Sequence, residues 1–296
     1  MEVEAFQKLD PQTFYRKFLS EGVRPDGRGL QEVRDVAVSC GVLTAPHVAA
    51  SALVTLGDTK VVTGITLQVG QPSQAEPGCG DVEVSVHLTP LCSSMFSVGR
   101  PSEQAQALEA LIRDVLTASR PFRREDLLIE ARRFAWRLCI DMYCLSYEGN
   151  AADAALLSVA ACLLRLRLPP TVITPDGEVL VAEGEGTPLP VSHVPLPLTF
   201  GVFEGALVAD PSLLEEDLVA AALTVVQSLD EGKGGSGGGG AARVCAVHKA
   251  GGACVAPALL ARALALGRSH AQRVLPVLRG AAASAAAAAA ATAPGT

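Results

Sequence analysis

Apolar side chains recur at every second position over several stretches of the chain. Val82, Val84, Val86 and Leu88 alternate with polar residues, the period of a half-buried strand. Over 135–147, Trp136, Leu138, Ile140, Met142 and Cys144 fall on one face and Arg137, Cys139, Asp141, Tyr143 and Leu145 on the other. The aromatic and β-branched content agrees with a strand. The run 33–42 mostly alternates, and 50–56 and 60–67 flank Gly57-Asp58 as a hairpin. Further strands are expected at 194–203, 206–209, 219–229 and 243–247. Helical spacing appears four times. Asp10 caps a short helix carrying Phe14, Phe18 and Leu19 that stops near Gly22. Helices follow over 101–118, 151–166 and 257–278, the last interrupted near Gly267.

These elements predict an α+β fold of two packed α/β subdomains with mixed sheets and helical covers. A lead-in over 1–22 precedes a first subdomain over 23–170 and a second over 171–279. The turn-rich stretch 171–190 marks the boundary. Residues 231–240, EGKGGSGGGG, read as a flexible loop. The alanine-rich tail 280–296 has no amphipathic pattern to pack and is expected to be disordered.

Charge and composition narrow the chemistry. The 296 residues are 49% apolar with a net charge of −7, so nucleic acid can be held only through a local basic patch. Eight cysteines include no CxxC pair and read as reduced thiols. Five scattered histidines give no metal-site spacing, and no cofactor is expected. The acidic amino-terminal residues lack an apolar h-region, so no secretory signal is expected, and the longest apolar stretch of the folded part, 154–164, is too short to cross a membrane. Gly184–Pro188, GEGTP, lacks the lysine and spacing of a phosphate-cradling loop.

Two charged stretches are ambiguous from residues alone. Arg24 to Arg28, RPDGR, reads as a surface turn from which both arginines project. Leu207 to Gln227 sets Asp210, Glu215, Glu216 and Asp217 between two strand-like runs. That is how a metal-dependent phosphate enzyme presents carboxylates, and also how a chain crosses its surface between strands.

Taken together, RPDGR after a short helix, LVTLGDTKVVTGI at 53–65, AWRLCIDMYCLSYEGNAADAAL at 135–156 and LVADPSLLEEDL at 207–218 resemble the ribonuclease PH family. The resemblance covers about 14–278. LTPLCSSMF at 88–96 and VHKAGG at 247–252 are similar to the family's ring subunits of the eukaryotic RNA exosome. Phosphorolytic members hold phosphate on a Gly-Gly-Thr-Arg turn at a helix start and use paired carboxylates. Here the turn reads Gly149-Asn150-Ala151-Ala152, so Ala152 stands where the family has arginine. Asp210, Glu215 and Glu216 match the family's acidic run, but Ala222 stands where its last Asp belongs, and Asp217 points to the other strand face.

The resemblance therefore implies a non-catalytic ring subunit of the exosome with the degenerate site Ala152, Asp210, Glu216 and Ala222 and no metal. It implies RNA contact through Arg100 and through Arg120, Arg123 and Arg124, with Arg132, Arg133 and Arg137 a second basic cluster. Implied partners are other ribonuclease PH-like ring subunits, S1/KH-type cap subunits, associated hydrolytic exoribonucleases and RNA. Nucleus, nucleolus and cytoplasm are the implied compartments. Two alternatives remain: a phosphate-dependent 3′-to-5′ exoribonuclease with an altered acidic site, and a homo-oligomeric enzyme on the same fold.

Overall fold

The computed structural model describes residues 9–292 apart from 75, 98, 100, 176, 177, 183, 185 and 230–241. Two sheets clasp a central helix. The first sheet has the order β1 (Val36–Cys40), β2 (Val48–Leu56), β3 (Thr59–Gly70), β6 (Phe134–Ser146), β4 (Asp81–His87), with β5 (Leu128–Glu130) also on β6. β3 and β6 are antiparallel from Lys60 opposite Ser146 to Gly70 opposite Ala135, whereas β4 runs parallel to β6. The period-two pattern is realised: Trp136, Leu138, Ile140, Met142 and Cys144 are buried while Tyr143 and Leu145 face outward.

Short pairs β7 (Arg167–Leu168) with β10 (Thr187–Pro188) and β8 (Thr171–Ile173) with β9 (Val179–Val181) lead to the second sheet. That sheet is antiparallel in the order β12 (Ala206–Ala209), β11 (Leu196–Phe203), β13 (Ala221–Leu229), β14 (Ala242–Lys249). All eight residues of β11 are buried, because helices cover both faces.

The helices explain that burial. α1 (Pro11–Ser20) begins after Asp10, whose carboxylate accepts the Thr13 amide at 3.2 Å. α2 (Glu103–Ser119) packs on β4 and is capped by Ser102. α3 (Ala151–Arg165) packs against β2, β3 and β11. Its Ala, Leu and Cys content leaves almost no polar face, as a helix enclosed by two sheets requires. α4 is the short Leu213–Glu216 turn, and α5 (Pro257–Thr292) covers β11 and β13.

Two expectations are corrected. α5 passes Gly267 unbroken, because that glycine lies against the Gln227 side chain, where a Cβ would sit 3.4 Å from Oε1. The helix also continues to Thr292 instead of becoming disordered at 280. Val274, Leu275 and Leu278 dock the preceding turns, and alanine propagates a helix already nucleated at no side-chain entropy cost. The expected flexible loop 231–240 lies outside the described residues. Among the described residues no helix is long and apolar enough to cross a membrane.

Candidate catalytic site and RNA-facing arginines

The acidic stretch folds as strand, tight turn and one helical turn. β12 ends at Ala209, and Asp210 adopts a left-handed φ of 50° before Pro211. Ser212 and Glu215 then form a capping box, the Ser212 amide donating to Glu215 Oε2 at 2.8 Å. The turn aims the Asp210 carboxylate inward, where it is completely buried.

Every acceptor of that carboxylate is engaged by the chain itself. Arg34 donates to it through its backbone amide (2.9 Å), Nε (2.8 Å) and Nη2 (2.7 Å). Arg28 Nη1 adds a bond at 3.1 Å and Asn150 Nδ2 one at 2.7 Å. Burial alone would push the Asp210 carboxyl up, but Arg34 and Asn150 outweigh it and hold the group below the usual carboxylate range.

The RPDGR turn is part of this cluster, which corrects the surface reading of its arginines. Arg24 is 0% exposed. Its guanidinium donates to the Glu215 carboxylate at 3.2 Å and to the carbonyls of Ala209, Asp210, Gly29 and Glu32. Four carbonyls and one carboxylate fill the fork, and burial still lowers the guanidinium below its ordinary pKa, with Glu215 working against that shift.

The turn before α3 closes the other side. Arg34 reaches the carbonyls of Glu148 and Gly149, and Thr59 Oγ1 donates to Gly149 at 2.7 Å. Gly149 has φ 85°, and a Cβ there would run into the Ser212–Leu213 backbone, so only glycine allows the two turns to touch. Glu216 reaches across from α4: Oε1 accepts the Asn150 amide and Oε2 the Tyr147 hydroxyl, each at 2.7 Å. Burial raises the Glu216 carboxyl above its ordinary value despite those two bonds.

Asp153, in the first turn of α3, is a buried acid that reads from sequence as an ordinary helix-start residue. It accepts from Asn150 Nδ2 (2.8 Å), the Thr199 amide (2.8 Å) and Thr199 Oγ1 (2.7 Å). Burial pushes its carboxyl up to about 6. Thr199 Oγ1 lies 2.9 Å from Thr224 Oγ1 on β13. Ala222 shares that strand face with Thr224, two residues away, and Ala152 sits in the first turn of α3. Asp210 and Glu216 thus meet at the turn before α3, while Ala152 follows that turn and Ala222 lies on β13, each carrying only a methyl group. Arg34 carries no local signal, since Asp210 lies 176 residues away, and Asp153 shows in sequence only its local partner Asn150, not Thr199. Among the described residues no His, Cys, Asp and Glu group could hold a metal ion.

The basic candidates lie elsewhere. Arg100 is outside the described residues. Arg120 ends α2 with a left-handed φ of 46°. Arg123 opens the Arg124–Leu127 3-10 turn. Both line a cleft of about 710 Å³ with Val82, Val84, Leu116 and Phe122 at its apolar wall. Arg124 is committed locally, to Glu76 at 2.6 Å and the Gly80 carbonyl at 3.0 Å. In the second cluster Arg133 pairs with Glu130 at 3.1 Å and Arg137 with Asp81 at 3.7 Å. The cleft lies beside Asp81, opposite Arg137 on β6, nine residues before Ser146. At strand rise that is about 30 Å from the acidic junction.

Comparison with known proteins settles the family. Residues 32–169 match domain 1 of the 3′ exoribonuclease family and residues 193–270 match domain 2. The chain belongs to the 3′ exoribonuclease family. Among its relatives, the exosome complex component rrp43 of Schizosaccharomyces pombe is 30% identical over 265 residues, covering 89% of this chain and 93% of that protein. The exosome complex component Rrp42 of Methanothermobacter thermautotrophicus is 34% identical over 202 residues, covering 68% and 73%. The Archaeoglobus fulgidus exosome with RNA bound to the active site contains a chain that superposes with a TM-score of 0.75 at 27% identity, covering 90% of this chain and 96% of that one. An archaeal exosome core matches in fold, with a TM-score of 0.72 at 24% identity over 94% of this chain and all of the other. The mixed-sheet, two-part architecture expected from the sequence is the fold of this family.

Proposed function

We infer that this member of the 3′ exoribonuclease family is a ring subunit of an RNA exosome that carries no phosphorolytic activity of its own. One observation carries the reading. The acids surviving at the junction are already engaged within the chain, Asp210 by Arg34, Arg28 and Asn150, and Glu216 by Tyr147 and the Asn150 amide. A phosphoryl-transfer site needs cations free to meet phosphate and a carboxylate free to hold a metal or move a proton. Here Arg34 and Arg28 answer Asp210 instead, Glu216 lies on the first amide of the helix start, and Ala152 and Ala222 offer no charge.

The junction then serves the ring by fixing the two sheets in one relation. RNA follows the phosphate-backbone contacts that Arg100, Arg120 and Arg123 offer, while cutting belongs to associated hydrolytic exoribonucleases. S1/KH-type caps and other ribonuclease PH-like subunits are the partners, in the nucleus, nucleolus and cytoplasm. The test is to incubate the purified chain with 3′-labelled RNA and inorganic phosphate. No nucleoside diphosphate is expected. Phosphate-dependent release would instead establish the altered-site exoribonuclease.

A further inference from the structure

We propose that β14 is a docking strand that receives an extended, acidic segment of a neighbouring ring subunit. The proposal deepens the ring-subunit reading and rests on it. β14 ends the second sheet: β13 pairs with one edge, and among the described residues no strand pairs with the other. None of its eight residues is buried, whereas β13 beside it is buried at seven of nine positions.

An edge of this length exposes a row of backbone donors and acceptors. Its side chains add an apolar strip. Val244 and Val247 lie opposite Gln227 and Val225, on the face covered by α5, yet each is 45% exposed.

Charge selects the occupant. β14 contains Arg243, His248 and Lys249, all exposed, and no acid, in a chain of net charge −7; Lys249 keeps its charge while its ammonium donates to the carbonyls of Gly251 and Gly252. Arg243 Nη1 lies 3.4 Å from His193 Nε2 at one end of the strand. A second copy of β14 would bring like charges together, so the edge rejects itself. A strand with aliphatic residues flanked by Asp or Glu satisfies the backbone, covers the two valines and pairs the basic rim. The β-bulge between Val226 and Gln227 twists β14 and further disfavours an indiscriminate flat pairing.

The test compares amide hydrogen exchange of the full chain alone and in the reconstituted ring. Segment 242–249 is expected to exchange at least about tenfold more slowly in the ring, as newly hydrogen-bonded amides do. The double variant R243E/H248E, at two exposed positions, is expected to fold with unchanged thermal unfolding and to enter the ring about tenfold more weakly. Equal exchange in both states overturns the proposal, as does protection that appears only when RNA is added. Wild-type assembly by a folded variant also overturns it, and if the variant misfolds the wild-type exchange decides alone. Native mass separates the two levels: a chain that joins no ring contradicts the ring reading, and a ring with unprotected β14 contradicts only the docking strand.

Discussion

The acidic junction and the Arg120–Arg123 cleft use the same kinds of side chain to opposite ends. At the junction Arg24, Asp153, Asp210 and Glu215 are buried, Arg28, Arg34 and Glu216 are largely covered, and the arginines and carboxylates answer each other. At the cleft Arg120 and Arg123 are exposed between an apolar wall and the acids Glu76, Asp81, Glu125 and Asp126, and among the described residues neither guanidinium forms a hydrogen bond or ion pair. Charge type therefore says little about function until its partner is known. A paired buried charge is a structural commitment whose removal is costly, while an unpaired exposed one adds little stability and is available for binding.

Substitutions can break this contrast, beginning with the largest effects. Arg24→Ala leaves the Glu215 carboxylate and several carbonyls buried without their donor, and should cost about 3–5 kcal/mol in chemical denaturation. Gly149→Ala forces a Cβ into the Ser212–Leu213 backbone at positive φ. It should lower stability by about 2–4 kcal/mol, with a clear fall in the thermal midpoint.

Asp153→Asn has the opposite sign. The folded pKa of about 6 lies above the ordinary 3.8, so the native state binds the proton more tightly. The stability this contributes is fully present below pH 3.8 and is lost as pH rises through about 6. An Asn amide can accept from Asn150 and the Thr199 amide while donating to Thr199 Oγ1. Denaturation profiles of D153N should therefore lose the downward slope between those values and show up to about 3 kcal/mol more stability than wild type at pH 7. The smallest stability effect belongs to the cleft. R120A/R123A should change unfolding by less than about 0.5 kcal/mol, yet weaken RNA binding by the assembled ring and flatten its salt dependence.

How much of this was legible follows from the range of each signal. β6 and β4 declared themselves through local alternation, and α3 through a helix-length apolar run after a Gly-Asn turn. Ala152 and Ala222 could be placed from the family's motif spacing. Arg24 could not be read as buried, because its acceptors at Ala209, Asp210 and Glu215 lie more than 180 residues away and a Pro-Asp-Gly turn looks superficial on its own. Arg34 was illegible for a similar reason, its partner Asp210 lying 176 residues away, and Asp153 because Thr199, which buries it, comes from the second sheet. The helical tail was misjudged because it has no packing face of its own, whereas Val274, Leu275 and Leu278 anchor the helix from which it extends.

Stability of Asp210→Asn tests the central claim most directly. A working catalytic carboxylate is typically held at some cost to the fold, so its removal leaves stability unchanged or raises it. A carboxylate that instead ties two arginines and an asparagine across a junction supports the fold. Chemical denaturation of D210N at pH 7 is predicted to show a loss of about 3 kcal/mol relative to wild type. Stability equal to or above wild type would contradict the account and return Asp210 to the role of an active-site acid.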